Sequence, residues 1–150
     1  VIEQKISLND IVRTGIDIDG IVSNQLLINI FEHNTPLHDG AVVIRGNTIV
    51  SATCYLPLSD SMRISKDLGT RHRAAIGVSE ATDAVTIVVS EETGRVSVAR
   101  AGRLEVMATP EDLRELLLSL IVYGTESKHF AFNGWNFLKG KEKHEKDNTQ

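Results

Sequence analysis

The chain has one cysteine, Cys54, in 150 residues. A single thiol excludes an internal disulfide and a zinc site built on a cysteine cluster, and it fits a reducing compartment. Long apolar runs are missing as well: no stretch approaches the ~20 consecutive apolar residues of a membrane span, so none is expected here. Positive charge is not in excess. Lys and Arg number 16 against 20 acids, a formal net charge of −4, which argues against a nonspecific grip on nucleic acid through a basic surface. No signal peptide precedes Val1, which already lies in an apolar pair, and the chain reads as a piece of something longer. Several signatures are also absent: there is no P-loop, no G-x-G-x-x-G fingerprint, no H-E-x-x-H, no kinase set and no G-x-S-x-G elbow. If this chain handles nucleotides, it does so on another scaffold.

What is present is an ordinary globular composition, 41% hydrophobic and 24% charged, in a chain long enough for one domain with a real core. The pattern is mixed α and β without internal repeats. Ser23 can cap a helix running to about Phe31, with Leu26, Leu27, Ile30 and Phe31 at helical spacing. Ala41 to Ile44 is apolar throughout, as in a strand covered on both faces. Gly46-Asn47 offers a tight turn into Thr48 to Leu56, which predicts a hairpin. Asp60 to Gly69 reads as loop, and a helix is expected from Thr70 to near Asp83. Val85 to Val89 is a second buried strand, turned by Thr93-Gly94 into Arg95 to Arg100. Thr109-Pro110-Glu111-Asp112 opens a last helix with a capping residue, a first-turn proline and acids. Its apolar face is Leu113, Leu116, Leu117, Leu120 and Ile121. After Trp135 the charged tail, KGKEKHEKDNTQ, is expected to be disordered.

Chemistry gathers at the edges of the apolar strands. His38-Asp39-Gly40 pairs imidazole with carboxylate, donors that suit Mn²⁺ or Mg²⁺, beside a glycine that admits a close ligand. The same residues also make a plain turn, with Asp39 bonding backbone and Gly40 at positive φ. In GTRHRAAIGV, residues 69 to 78, Thr70 reads as a cap with Arg71, His72 and Arg73 in the first turn. Cations there oppose the helix dipole. A phosphate bound at the helix start resolves the conflict, and so does ion pairing with Asp67 or Glu80. Ser90, Glu91 and Glu92 leave a buried strand and can hold a metal or a sugar hydroxyl, or simply form a solvated turn. Tyr55 and Leu56 can sandwich a flat base or pack in the core.

These segments resemble one family. DGA at 39–41 and RHR at 71–73 match the two signature motifs of the diadenylate cyclase domain. The flanks LLINIF, NTPLHDGAV, CYLPLS, LGTRHRAA and IVVSEETG are similar to the cytosolic catalytic domain of the membrane-anchored bacterial members. The likeness covers residues 1 to about 122, with a C-terminal extension over 123–150. It implies a mixed α/β domain, with a central, twisted, mostly antiparallel sheet surrounded by helices. It implies condensation of two ATP molecules into cyclic di-AMP and two pyrophosphates, with Mg²⁺ or Mn²⁺. Carried over by the resemblance, Asp39 acts at the metal and the ribose 3′-hydroxyl, and Gly40 and Ala41 shape the pocket. His38 and Glu92 join Asp39 as metal contacts. Thr70 and Arg71 hold phosphates, with His72 and Arg73 supporting them. Tyr55 and Leu56 meet adenine, and Ser90 and Glu91 touch the nucleotide.

A product with two-fold symmetry implies a face-to-face homodimer as the catalyst. The location implied is the cytoplasmic side of the cell membrane, through segments absent from this sequence. Regulatory protein partners are compatible with this reading, and no nucleic acid is implied. Two rivals stand beside it. One is a catalytically silent module that senses ATP or cyclic di-AMP, against which the intact Asp39 and Arg71 argue. The other is a metal-dependent phosphohydrolase, supported only by the His38-Asp39 pair.

Overall fold

The computed structural model describes residues 1–124 except Arg63, Lys66 and Asp67. The expected disorder of residues 139–150 therefore lies outside the described residues, as does any partnership of Asp67. The chain divides into two compact units, Val1–Ala108 and Thr109–Gln150. In the first, the order is α1 (Asn9–Val12), β1 (Ile16–Ile21), α2 (Asn24–Ile30), β2 (Ala41–Arg45), β3 (Thr48–Cys54), α3 (Thr70–Ala81), β4 (Thr86–Val89), β5 (Val96–Arg100) and β6 (Arg103–Val106). The second contains α4 (Pro110–Gly124).

The expected mixed fold with antiparallel sheet is present, in two pieces of three strands, ordered β1-β3-β2 and β4-β5-β6. The start of the chain links them. Ile2 bridges Val85 antiparallel and Ile44 in parallel, through Ile2 N–H to Val85 O at 2.8 Å and Glu3 N–H to Ile44 O at 2.9 Å. Glu3 pins this link: its carboxylate accepts from the Leu8 N–H at 2.8 Å and from Arg45 Nη2 at 2.9 Å. The Arg45 hydrogen bond holds the Glu3 carboxyl below its usual range.

The apolar run after Gly40 becomes β2 because both its faces are covered. Neighbouring residues of a strand point to opposite sides. Val43 joins a cluster with Leu8, Cys54 and Ala84, while Val42 joins Ile30, Ile49 and Ala52. Each fully buried valine contributes roughly 1.5–3 kcal/mol. The Cys54 thiol lies inside the first cluster, and burial pushes its pKa up. The hairpin turns at Gly46-Asn47, with Gly46 at φ +58°, and β3 ends at Cys54 rather than Leu56. A third cluster packs Ala75 and Ile76 of α3 on Val88 of β4 and Ala99 of β5. Ser23 caps α2, its hydroxyl accepting from the Leu26 N–H at 3.1 Å. α1, β1 and β6 were not anticipated from the sequence.

Candidate functional site

Gly40 is the hinge on which the first motif turns. Its φ is +111°, and a Cβ there would lie 2.7 Å from the Thr53 carbonyl carbon. Only glycine satisfies both conditions. Thr53 itself has φ +58°, a strained value for a β-branched residue. The pairing of β2 with β3 also slips between Ala41 and Val43, an irregularity of the kind that re-aims side chains at a sheet edge. The plain-turn reading of Gly40 is thus correct as backbone geometry. The turn leaves the Asp39 carboxylate 84% exposed.

His38 is half-buried. Its Nδ1 lies 2.7 Å from the Thr35 carbonyl. A carbonyl only accepts, so Nδ1 carries the hydrogen of this bond, and Nε2 takes no part in it. The ring meets His33 edge-on, with centroids 5.5 Å apart.

The start of α3 differs from expectation in one respect. Thr70 is the first helical residue, and Gly69 holds the capping position. With no side chain to offer, Gly69 supplies no side-chain cap, and the first turn contains no acid. Among the described residues, the helix start is left with uncapped amides and cations. Arg71 resolves its own conflict by reaching two other loops: Nη1 lies 2.7 Å from Glu91 Oε2, and Nη2 lies 3.4 Å from Asp39 Oδ1. Ion pairing does occur, then, but not with Glu80, which instead accepts from the Ser59 hydroxyl at 2.9 Å. The three partners are exposed enough that each pair contributes only ~0.2–1 kcal/mol, so Arg71 can exchange carboxylates for another anion at little cost.

Ser90, Glu91 and Glu92 form the turn between β4 and β5. The Ser90 hydroxyl accepts from the Thr93 N–H at 3.2 Å, and its carbonyl accepts from the Gly94 N–H at 2.8 Å. Ser90 therefore shapes the turn, which directs Glu91 toward Arg71. Glu92 is exposed, with no ion pair among the described residues. Tyr55 is not a core residue: it is 78% exposed, and its N–H donates to Thr14 Oγ1 at 2.9 Å. Leu56, His72 and Arg73 are half-buried, and Thr70 is exposed.

The fold thus brings Asp39, Arg71 and Glu91 together from three separate segments. It does not gather His38, Asp39 and Glu92 into one set of ligands: among the described residues, no group of three His, Cys, Asp or Glu side chains converges as a metal cage. Magnesium rarely uses such a cage, being held by one or two carboxylates together with substrate phosphates. The donor chemistry present, one imidazole and exposed carboxylates, fits a cation that arrives with a phosphate ligand. Sequence reading missed the roles of Gly69 and Thr53. The glycine before Thr70 was a visible signal for the first, whereas nothing in the sequence marks a positive φ at threonine.

Comparison with known proteins gives a consistent picture. A family model, DAC, described as DisA bacterial checkpoint controller nucleotide-binding, matches residues 1–104. A diadenylate cyclase of Listeria monocytogenes is 55% identical over 128 residues, 85% of this chain and 47% of that protein. The cyclic di-AMP synthase CdaA of Bacillus subtilis is 59% identical over 140 residues, 93% of this chain and 50% of that protein. The chain spans about half the length of these relatives. A crystal structure of DacA from Staphylococcus aureus, a double mutant, matches with a TM-score of 0.77 at 52% identity, covering 79% of each chain. A structure described as a hypothetical membrane spanning protein from Bacillus cereus matches with a TM-score of 0.70 at 46% identity, covering 72% of this chain and 53% of that one.

Proposed function

The chain belongs to the DAC family, the DisA bacterial checkpoint controller nucleotide-binding domains, and from that premise we propose that it condenses two ATP molecules into cyclic di-AMP with release of two pyrophosphates. Residues 1–122 would form the catalytic domain. The observation that carries the reading is the Arg71 guanidinium, bonded at once to Asp39 and Glu91. A helix start with free amides and an exchangeable arginine is a phosphate site. It lies beside a carboxylate on a rigid, glycine-dependent turn.

In this mechanism Arg71 leaves its carboxylates for the ATP phosphates, which also meet the backbone amides at Thr70. His72 and Arg73 support that helix start. The exposed Tyr55 ring stacks on adenine, and Leu56 lines the same pocket. Gly40 and Ala41 shape the floor, and Ser90 and Glu91 contact the nucleotide. Asp39, released from Arg71, accepts the hydrogen bond of the ribose 3′-hydroxyl and orients its oxygen toward the α-phosphorus of the second ATP. Asp39 would hold Mg²⁺ or Mn²⁺ together with the phosphates, and the cation would have to draw in His38 and Glu92, which do not converge with Asp39 on their own. Bound there, the cation would supply a lowered hydroxyl pKa and offset charge on the phosphoryl oxygens. The surroundings call for it, because one arginine faces two carboxylates here and a triphosphate adds further negative charge.

One chain has one Asp39 and one Arg71, enough for a single ATP. A homodimer with the two sites facing each other turns a bimolecular encounter into an oriented one. We place the domain on the cytoplasmic side of the cell membrane, anchored by segments outside this sequence. No helix among the described residues is long and apolar enough to cross a membrane. Regulatory partners would act through the same parent protein.

The test is incubation with ATP and Mg²⁺ or Mn²⁺ and identification of the product by mass. Cyclic di-AMP with pyrophosphate is expected, with GTP a poor substrate. ADP or inorganic phosphate as the main product would refute the proposal.

A further inference from the structure

The segment after β3 is fastened to α3 at three points, and only one of them, the Arg73 carbonyl, belongs to either motif. The Ser59 N–H donates to the Arg73 carbonyl at 3.0 Å. The Ser59 hydroxyl donates to Glu80 Oε1 at 2.9 Å. At Gly77 a Cβ would lie 2.0 Å from the Pro57 carbonyl oxygen and 2.8 Å from the Ser59 nitrogen, so only glycine lets the two backbones come this close. Arg73, Gly77 and Glu80 follow one another at spacings of four and three, which puts them on a single face of α3. Ser59 is 4% exposed, and a hydroxyl that buried needs its partner.

The rest of the segment has little packing of its own. Tyr55 is 78% exposed, Leu58 53% and Met62 98%. The contacts with α3 hold it, along with the Tyr55 N–H bond to Thr14 Oγ1. The helix that receives these contacts begins with Arg71, and the segment they hold begins with Tyr55 and Leu56. A nucleotide gripped by its base at one end and by its phosphates at the other requires a fixed distance between those two places.

We propose that Ser59 and Glu80, across the contact surface made by Gly77, are positioning residues that set the base pocket relative to the phosphate-binding helix start, and so determine selectivity for adenine. This rests on the assignment of Tyr55 and Leu56 to the base and of Arg71 to phosphate. Loosening the link lets the base end drift while the phosphate end keeps its own donors. The defect should appear in KM and in base choice rather than in phosphate binding.

The variants are Ser59→Ala, Glu80→Ala and Glu80→Gln, each in the full chain. Initial rates with ATP and with GTP give KM and kcat, and calorimetry gives Kd for a nonhydrolysable ATP analogue and for inorganic triphosphate, both with Mg²⁺. Ser59→Ala and Glu80→Ala should raise KM for ATP and Kd for the analogue roughly three- to tenfold, the scale of one lost hydrogen bond. The preference for ATP over GTP should narrow, and triphosphate binding should not change. Glu80→Gln should behave like the parent, because its amide oxygen still accepts from Ser59. A fall in kcat alone with unchanged KM, an equal weakening of analogue and triphosphate, or a Glu80→Gln variant as impaired as Glu80→Ala would each overturn the proposal. The unmodified chain provides a separate check. If it binds triphosphate as tightly as the ATP analogue, there is no base pocket, and the assignment of Tyr55 and Leu56 fails before any variant is made.

Discussion

Helices α3 and α4 begin in opposite ways. At α4 the Thr109 hydroxyl accepts from the Asp112 N–H at 3.2 Å, and the Asp112 carboxylate accepts from the Thr109 N–H at 2.9 Å. This is a reciprocal cap, with Glu111 and Asp112 adding the negative charge that the dipole favours. At α3 the capping position is a glycine, no acid occupies the first turn, and Arg71 follows at once. The chain applies the stabilising rule at α4, and again at α2 through Ser23, yet breaks it at α3. On the proposed function, a helix that sets aside its own cap and places cations at its first turn is arranged for an anion from outside, with Asp39 and Glu91 as its stand-ins until one arrives.

The contrast can be broken most severely at Asp39. Asp39→Asn keeps the shape but removes the charge that serves the 3′-hydroxyl, so turnover should fall by ~10²–10⁴. Binding of a nonhydrolysable ATP analogue, followed by calorimetry, should persist; a large loss of affinity would show that Asp39 serves binding instead. Arg71→Ala removes the cation proposed to meet the phosphates, and analogue affinity should drop about 10- to 100-fold, as for a lost charge-assisted hydrogen bond. Thr109→Ala tests the other helix. It should cost ~1 kcal/mol in chemical denaturation, with no change in the rise in Tm that ATP produces. The smallest effect comes from giving α3 the cap it lacks. Nothing lies within 4 Å of a Cβ at Gly69, and its φ of −72° suits any residue. Gly69→Asp should therefore stabilise the empty protein by ~0.3–1 kcal/mol while shrinking the Tm shift with ATP, measured by melting with and without nucleotide.

Much of this was legible in the sequence because the relevant signals are local. The caps at Ser23 and Thr109, the two-sided apolar run of β2 and the Gly46 turn each depend on residues within a few positions. β1 was missed because IDIDGI alternates apolar residues with acids and lies at a sheet edge, leaving Ile16 48% and Ile21 72% exposed. β6 has only four residues, and its partner is chosen by pairing rather than by pattern. At the site, the cationic helix start was visible, but its partners were not. Arg71 meets Asp39 and Glu91 across 32 and 20 positions of sequence, a meeting that only the tertiary fold decides. Thr70 was taken for the cap because its hydroxyl suits the position, whereas the backbone places the cap one residue earlier, at Gly69, and makes Thr70 the first helical residue. Tyr55 was ambiguous between core and pocket until its exposure resolved the core reading against it.

The central claim is that the start of α3 is a phosphate site and the start of α4 is not. Backbone amide resonances followed by NMR during titration with inorganic triphosphate and Mg²⁺ test it most directly, because they read both helices in one sample. The amides of Thr70, Arg71 and His72 should shift and saturate together, while those of Glu111 and Asp112 stay in place. Unmoved amides at α3, or equal movement at both helix starts, would contradict it.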